Sequence, residues 1–476
     1  MSGSLHTIGP SLVAQASRCL HFYRQEVFGD PAGRLPVSAG RQAELDRGKE
    51  FERRAISSLA GVVAVEWDRR DWDEGVRRTQ ALLRAGHPWV AGAALAGDGL
   101  RGIVDLLRRV DGEGGPEDAR YIPVEIKNHK EVESADVVQV TGYSVLMESS
   151  LGYRPERGGV LLNTGRVKGV EIDEGLVARF QELVARMRQV AGGEMDTEPV
   201  WCSACRNCPW LKACSERWRA TDHLSLLPNG GKTIVTKLYA AGIKTVKDLA
   251  TQDFDQLRTR VSMSEKTLKA LWLHARSRAD GRPIAMKPAE FPADRPIYFY
   301  DIETFGDEVF LHGAIRICAG EREERFFFAD RPGDAGVPWR EFLDYMARDS
   351  AALVYTWTTY ENEHVEACWD RFGGNERGYR TLHEGLVDQC AWVKEHFVLP
   401  VRSYSIKEVA PVFGFHWQAE DAGGTNCEAW YGRWLETGDP RLKEKILIYN
   451  RDDVLAMEVI DDKLRALGRR DREEAT

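Results

Sequence analysis

The chain has 476 residues and a formal net charge of −9, and its composition (43% hydrophobic, 29% charged) is that of a globular protein with two or three domains. No apolar run is long enough to cross a bilayer, and the first residues do not have the pattern of a signal peptide. Simple nucleic-acid-binding modules are usually basic, and this chain is acidic overall. The negative net charge does not exclude an enzyme that acts on nucleic acid, because only its substrate groove must be basic. Nine cysteines without an export signal favour a reducing compartment, and we expect a cytoplasmic protein.

Residues 1–220 have the alternating pattern of an α/β domain. Strands are indicated by short apolar runs between turn residues, and helices by longer periodic segments. The predicted elements are helices after Pro10 and over residues 41–60, strands over 87–95, 100–110 and 121–130, a helix over 135–150, a strand over 158–164 and a helix over 177–190.

Three charged residues on the predicted strands of this domain indicate a metal site. Asp105 lies among apolar residues, and Glu125 and Lys127 lie two apart in PVEIKNHK, so that both side chains face the same way. Two carboxylates can hold Mg²⁺ or Mn²⁺ for phosphodiester hydrolysis, and a lysine can stabilise the attacking water or the transition-state charge. The alternative is an ion pair on a solvated face of the sheet. Further candidates on predicted helices are Glu52, Gln139 and Tyr143.

Five cysteines bracket the same domain. Cys19 stands alone near the start, and four others follow about two hundred residues later. Thiolates with this spacing suit fourfold ligation of an iron–sulfur cluster or of zinc, and the two ends of the domain must then meet. The late cysteines are Cys202, Cys205, Cys208 and Cys214.

The order of these motifs resembles the RecB-like branch of the PD-(D/E)xK nucleases. The resemblance covers residues 1–220 and rests on G-x-x-x-E, G-I-V-D, E-I-K and Q-V-T-G-Y, while the early cysteine and the late C-x-x-C-x-x-x-x-x-C are similar to its iron–sulfur members. It implies a restriction-endonuclease-like α/β core, with Glu52 where many members carry histidine, a change that affects ion preference. It also implies a [4Fe–4S] cluster with Cys202 left over. The implied ligands are Cys19, Cys205, Cys208 and Cys214.

Residues 221–290 are predicted to form short helices without strands, as a small linker domain. The stretch from 225 to 290 is locally basic, with 12 Lys/Arg against 6 Asp/Glu. LSLLPNGGKTIVTKLYAAGIKTVKDLA resembles a helix–hairpin–helix DNA-binding unit, whose turns offer backbone N–H groups to a phosphate. A helical spacer with a solvated basic face is the alternative. The lysines that could add charge are Lys232, Lys237 and Lys244.

Residues 291–466 are predicted to be a second α/β domain, followed by a charged tail (467–476) whose RRDREEAT is expected to be disordered. PIYFYDIET has the pattern of a buried strand. VFLHGAIRICAG and EERFFFAD predict a hairpin, AALVYTW predicts another strand, and the rest is mostly helical.

Acidic residues recur along this second domain. Asp301 and Glu303 lie two apart on the first strand, and a buried acid pair requires a counter-charge such as a metal ion. Tyr449 lies four residues before Asp453, on the same face of a predicted helix. The adjacent Asp452 is an alternative to Asp453, and the intervening acids are Glu361 and Asp388.

This order resembles the DEDD exonucleases, which have a ribonuclease-H-like α/β fold. Asp301 and Glu303 match the opening D-x-E, and Tyr449 and Asp453 match the closing Y-x-x-x-D. The resemblance implies four acids that hold two metal ions. Glu361 stands where an aspartate is usual, which lengthens one ligand arm.

The whole arrangement resembles standalone two-nuclease proteins of the RecB family. It implies a Mg²⁺- or Mn²⁺-dependent DNA nuclease that acts on single strands or ends, in repair or in defence against foreign DNA. The sequence has no ATP-binding loop, which a helicase motor requires. Any helicase that works with this chain would therefore be a separate protein. No membrane partner is expected. Two alternatives remain: a nucleic-acid-binding protein with one or both sites decayed, and an RNA exonuclease driven by the C-terminal domain.

Overall fold

The computed structural model describes residues 7–110, 120–289, 295–418 and 423–474, with side chains as far as residue 468. The chain divides into two compact units. The first comprises Met1–Pro36 and Gln42–Cys214, and the second Val37–Arg41 and Ser215–Thr476. In the described part of the chain, no helix is both long and apolar enough to cross a membrane.

The first unit is built on a six-stranded mixed sheet whose strands lie side by side in chain order. The second and third strands form an antiparallel hairpin around Asp98 and Gly99, whose positive φ angles of 51° and 73° suit a tight turn. The first pair and the fourth–fifth pair are parallel. The strands are β1 (Val62–Ala64), β2 (Trp89–Gly97), β3 (Leu100–Val110), β4 (Arg120–Lys127), β5 (Arg157–Leu162) and β6 (Val167–Glu171).

Helices surround this sheet, and local sequence fixes several of their ends. Asp71 and Asp173 are N-caps whose carboxylates accept the N–H groups of Glu74 and Leu176. The helices are α1 (Pro10–Arg18), α2 (Leu20–Phe28), α3 (Ala39–Ser57), α4 (Trp72–Arg84), α5 (Ser134–Leu151), α6 (Glu174–Ala191) and α7 (Leu211–Ala220).

A helical segment opens the second unit and contains a two-residue strand, β7 (Ile284–Ala285), which the sequence did not predict. This strand pairs with a second short one, because Ile284 lies opposite Val398. The last helix of the segment also contacts that region: the Ser277 hydroxyl donates to the Val398 carbonyl at 3.1 Å. The helices are α8 (Lys232–Ala240), α9 (Val246–Ala250), α10 (Phe254–Arg260) and α11 (Glu265–Asp280).

The rest of the second unit contains a five-stranded sheet. The first three strands are antiparallel neighbours. The fourth strand pairs in parallel with the first, and the fifth pairs in parallel with the fourth. When the five strands are counted in chain order, the third lies at one edge of the sheet and is followed across it by the second, first, fourth and fifth. The strands are β8 (Ile297–Phe305), β9 (Glu308–Cys318), β10 (Glu321–Phe328), β11 (Leu353–Thr356) and β12 (Leu386–Asp388), with β13 (Phe397–Val398) paired to β7.

Seven helices accompany this sheet in the described residues. The last is 35 residues long, and its apolar face packs into the core through Ile446, Val454 and Ile460. It continues to Glu474 and so includes most of the charged tail that was expected to be disordered. The helices are α12 (Gly336–Met346), α13 (Tyr360–Phe372), α14 (Glu376–Gly385), α15 (Gln389–His396), α16 (Ile406–Val409), α17 (Gly424–Thr437) and α18 (Pro440–Glu474).

The predicted α/β class is confirmed in both units. The predicted strand–helix order of the first 220 residues is confirmed, although β1, β6, α2, α4 and α7 were not predicted. The predicted hairpin of the second sheet is confirmed, because β9 and β10 pair in antiparallel from Glu321 opposite Cys318 to Phe328 opposite Leu311.

Candidate active sites

The predicted acids of the first unit meet at the centre of its sheet. Asp105 lies on β3, and its Oδ2 accepts the backbone N–H of Ile126 at 2.8 Å, which brings it beside Glu125 on β4. The Glu125 side chain is only 1% exposed. Burial and the Asp105 carboxylate both raise the pKa of Glu125, whereas the neighbouring Lys127 ammonium opposes this rise.

Lys127 and Gln139 hold one oxygen of Glu125. The Lys127 Nζ donates to Glu125 Oε2 at 3.0 Å and to Gln139 Oε1 at 3.0 Å. The Gln139 amide in turn donates to Glu125 Oε2 at 2.6 Å and to the Ser11 hydroxyl at 3.2 Å. The other oxygen, Oε1, is buried and accepts no hydrogen bond from the described residues. Burying a carboxylate oxygen without a hydrogen bond costs free energy unless a cation binds it. Glu125 Oε1 is therefore suited to be a metal ligand.

The remaining candidates of this site are also brought close. Glu52 lies on α3, and its pKa is raised by burial and then by the Asp105 carboxylate, so that it faces the same acids. The Tyr143 hydroxyl donates to the Ile103 carbonyl at 2.7 Å, two residues before Asp105. Tyr143 therefore supports the strand that carries Asp105, and burial raises its pKa.

The cysteines from the two ends of the first unit also meet. Cys202 Sγ lies 3.8 Å from Cys205 Sγ and also interacts with the Cys19 thiol. These contacts lower the pKa of Cys202 to about 3 and raise those of Cys19 and Cys205, so that the thiols share negative charge around Cys202. Cys214 interacts electrostatically with Cys19. Cys202, which the resemblance does not count among the ligands, thus interacts with thiols from both ends of the first unit.

The predicted acids of the second unit converge at one end of β8. Asp301, Glu303 and Asp453 each place a carboxylate oxygen within 4.8 Å of the other two. Burial and the Asp453 carboxylate raise the pKa of Glu303 to about 8. Three acids in such proximity, two of them buried, repel one another, and oxygen ligands of this kind are those that Mg²⁺ and Mn²⁺ prefer. The residues present therefore fit a divalent cation.

Asp453, rather than Asp452, faces this site. Its Oδ1 accepts hydrogen bonds from the Lys407 ammonium and, at 2.7 Å, from the Trp417 indole. The Asp452 carboxylate instead accepts the backbone and side-chain N–H groups of Gln418 at 2.8 and 3.0 Å. Tyr449, 4% exposed, hydrogen-bonds Asp453 as the Y-x-x-x-D spacing predicts.

Glu361 lies near the three acids but outside their closest group. It is at the start of α13 and 4% exposed, and its Oε2 is buried with no hydrogen-bond partner in the described part of the chain. Burial, then the carboxylates of Asp388 and Asp453, raise the pKa of Glu361 to about 7. Asp388 itself caps α15 by accepting the Ala391 N–H at 2.7 Å.

Several residues of this site were not predicted from the sequence. Asn450 donates to Asp301 Oδ2 at 2.7 Å, and the fully buried Cys427 hydrogen-bonds Glu303. Lys407, which pairs with Asp453, was not predicted either. The spacing of Asn450 and Asp453, three apart on one helix, was the signal that could have identified Asn450.

A glycine makes room for Asn450. Gly313 on β9 lies opposite Asp301 on β8, and a Cβ there would lie 1.8 Å from Asn450 Oδ1. We expect Gly313→Ala to displace Asn450, to lower the free energy of unfolding by about 1–3 kcal/mol and to weaken Mn²⁺ binding. Gly424→Ala is the matched control, because nothing lies within 4 Å of a Cβ at Gly424. Equal melting temperatures for the two variants would contradict this account.

The raised pKa values of Glu303 and Glu361 predict how stability depends on pH. Both acids keep protons in the folded state at pH values where an unfolded chain, with acids near 4.5, has lost them. The metal-free protein should therefore lose stability as the pH rises from about 5 to about 8, and Mn²⁺ should stabilise it most at the upper end. Thermal unfolding with and without Mn²⁺ tests this, with Glu303→Gln as the variant that flattens the profile. Metal-free stability that rises over this range would contradict the assignment.

Comparison with known protein families finds a match in each half of the chain. Residues 19–215 match the sequence model of the PD-(D/E)XK nuclease superfamily, and residues 298–465 match that of the RNase_H superfamily. Each matched range contains one of the two acidic sites, and Cys19 and Cys214 lie at the ends of the first. A search of the curated proteins found no match. The predicted PD-(D/E)XK and ribonuclease-H-like domains are thereby confirmed.

Proposed function

We propose that this chain, which contains two nuclease-superfamily domains, is a metal-dependent DNA nuclease that hydrolyses phosphodiester bonds in single strands or at ends. The observation that carries the proposal is the convergence of Asp301, Glu303 and Asp453, whose carboxylate oxygens lie within 4.8 Å of one another. Both matched superfamilies are nucleases, and each unit has its own buried acids. The biological setting that we infer is repair or defence against foreign DNA, with a RecB-like first domain.

The residues of the first unit have distinct proposed tasks. Asp105 and Glu125 would hold Mg²⁺ or Mn²⁺. The buried Glu125 Oε1, which accepts no hydrogen bond from the described residues, would be one of the ligand atoms. Lys127 is held in place by Glu125 and Gln139, so that its ammonium can stabilise charge on the phosphate. Glu52 would complete the ligand set. At either site a bound divalent cation would supply Lewis-acid chemistry, by polarising the phosphate and acidifying water.

In the second unit, Asp301, Glu303 and Asp453 would hold the cation, with Glu361 as a more distant acid. Tyr449 is buried against these acids, and its pKa is strongly raised by burial and by Asp453. It therefore remains protonated at neutral pH and can donate a hydrogen bond to Asp453 or to a bound water. Asn450 orients Asp301 through its amide.

We further propose that Cys19, Cys205, Cys208 and Cys214 hold a [4Fe–4S] cluster, with zinc as the rival occupant. The support is the meeting of Cys19 with thiols from residues 202–214, which only the folded domain brings together. Four thiolates would be deprotonated on binding the cluster, and the binding energy would then join the two ends of the domain.

Replacement of Cys19 with serine tests whether this thiol is a ligand of the proposed cluster. We expect bound iron to fall from about four atoms per chain to near zero, with a lower melting temperature, because one cluster ligand is lost. Iron is measured on anaerobically purified protein, with Cys318→Ser as the control outside the thiol group. Unchanged iron in Cys19→Ser would exclude Cys19 as a ligand, and stoichiometric zinc in place of iron would favour the rival.

The helical segment supports nucleic-acid binding. Its apolar residues Val235 and Leu238 are buried in α8, whereas the lysines of α8 and α9 point outward. Helix α8 follows a glycine turn, in which Asn229 has a positive φ of 58°, so that its first N–H groups can face a phosphate. The exposed lysines are Lys232, Lys237, Lys244 and Lys247.

The substrate class is tested by comparing matched strands. End-labelled single-stranded DNA, blunt duplex DNA and single-stranded RNA of one sequence are incubated with the full chain and Mn²⁺, or with EDTA. We expect the fastest cleavage with single-stranded DNA and none with EDTA. Faster RNA cleavage would favour an RNA exonuclease, and tight binding without cleavage would favour a binding protein.

A further inference from the structure

Lys407 lies among the acids of the second site. It is in α16, 46 residues before Asp453 in the chain, and its ammonium forms an ion pair with Asp453 Oδ1. Its Nζ also lies 4.0 Å from the centroid of the Trp417 ring and 4.3 Å from that of Tyr449. Two aromatic faces and a carboxylate thus hold the ammonium in one place.

The formal charges around Lys407 are balanced by one divalent cation. Asp301, Glu303 and Asp453 are the three acids whose oxygens meet within 4.8 Å, whereas Glu361 lies outside that group. Together with the Lys407 ammonium they carry a formal charge of −2, which one Mg²⁺ or Mn²⁺ neutralises. A second ion bound through Asp453 Oδ1 would have to displace both the ammonium and the Trp417 N–H.

The first unit shows the same pairing of lysine and ligand acid. There the Lys127 Nζ lies 3.0 Å from Glu125 Oε2. Both sites therefore combine buried carboxylates with a lysine that is fixed by one of them.

We propose that Lys407 is a fixed cation that replaces one of the two metal ions expected at the second site, so that Asp301, Glu303 and Asp453 hold a single divalent ion. This inference rests on the proposed function of the same site. In that role the ammonium faces the phosphate from the Asp453 side and offsets its negative charge, as a second metal ion would.

The test counts Mn²⁺ at the second site of the full chain. The first site is silenced with Asp105→Asn and Glu125→Gln, and bound Mn²⁺ is measured by equilibrium dialysis and electron paramagnetic resonance. Each titration is done alone and with thymidine 5′-monophosphate, a mimic of a terminal nucleotide. We expect one Mn²⁺ per chain under both conditions and none after a further Asp301→Asn exchange.

Variants of Lys407 sharpen the count. Lys407→Met removes the charge and should raise the count to two, with a spin-coupled spectrum, whereas Lys407→Arg should keep it at one. Two Mn²⁺ ions in the chain with Lys407 intact would overturn the inference. That result could not come from misfolding caused by a Lys407 substitution, because the chain carries none. A count that stays at one in a folded Lys407→Met chain would also overturn it, with folding judged by the melting temperature.

Failure of the inference and failure of the proposed function differ in outcome. Two Mn²⁺ ions together with DNA cleavage would reject only the role of Lys407. No bound Mn²⁺ and no cleavage by this site would reject both.

Discussion

In a chain whose second site is silenced by Asp453→Asn, replacing Glu125 with glutamine is expected to lower the remaining DNA cleavage by roughly 100- to 1,000-fold, the range for loss of one electrostatic stabiliser. The substitution removes the carboxylate whose free oxygen is placed for a metal ion. It also removes the acceptor that Lys127 and Gln139 share. The measurement is release of label from single-stranded DNA in Mn²⁺.

Stability should respond in the opposite direction from activity. Burial raises the pKa of Glu125, so the metal-free chain carries an unfavourable buried acid that glutamine relieves. We expect an unchanged or higher melting temperature for Glu125→Gln. Glu171→Gln is the control, because Glu171 is an exposed residue on the edge strand β6. Full cleavage by Glu125→Gln would remove this site from the mechanism.

Replacing Asp453 with asparagine, in a chain silenced by Glu125→Gln, should cause a loss of similar size at the second site. Asp453 is a member of the group of three acids and the partner of Lys407. The exchange should also abolish Mn²⁺ binding there, because a neutral amide is a weaker ligand for a hard cation.

Asp452 is the matched control for that experiment. It is the next residue along the helix, and its carboxylate contacts Gln418 rather than the other acids. Asp452→Asn should cost about 1 kcal/mol of stability through weakened hydrogen bonds and should leave cleavage within a few-fold of the parent. If Asp452→Asn abolished cleavage and Asp453→Asn did not, the assignment of the closing motif would be wrong.

The sequence predicted the elements whose patterns are local. The strand that carries Asp301 and Glu303, and the helix that carries Tyr449 and Asp453, follow from apolar runs and from side chains two or four residues apart. The same is true of β4, which carries Glu125 and Lys127. Spacing along a strand or helix determines which face a side chain occupies, and this part of each site could therefore be predicted.

Contacts between distant segments could not be predicted in this way. Lys407 reaches Asp453 across 46 residues, and Gly313 is needed only because Asn450 approaches its Cα from another element. The interaction of Cys202 with Cys19 depends on how the chain folds between them, whereas the family resemblance did not count Cys202 among the ligands. The strands β7 and β13 have two residues each, too few for any periodic signal.

Above all, we propose that the chain cleaves DNA through these two acidic sites. The most direct test is Mn²⁺-dependent cleavage of end-labelled single-stranded DNA by the doubly substituted chain, Glu125→Gln with Asp453→Asn, beside the unsubstituted protein. We predict that the double variant retains its melting temperature and iron content and cuts no faster than the unsubstituted protein in EDTA. Cleavage by the double variant at the rate of the unsubstituted chain would contradict the claim, because the chemistry would then lie outside both sites.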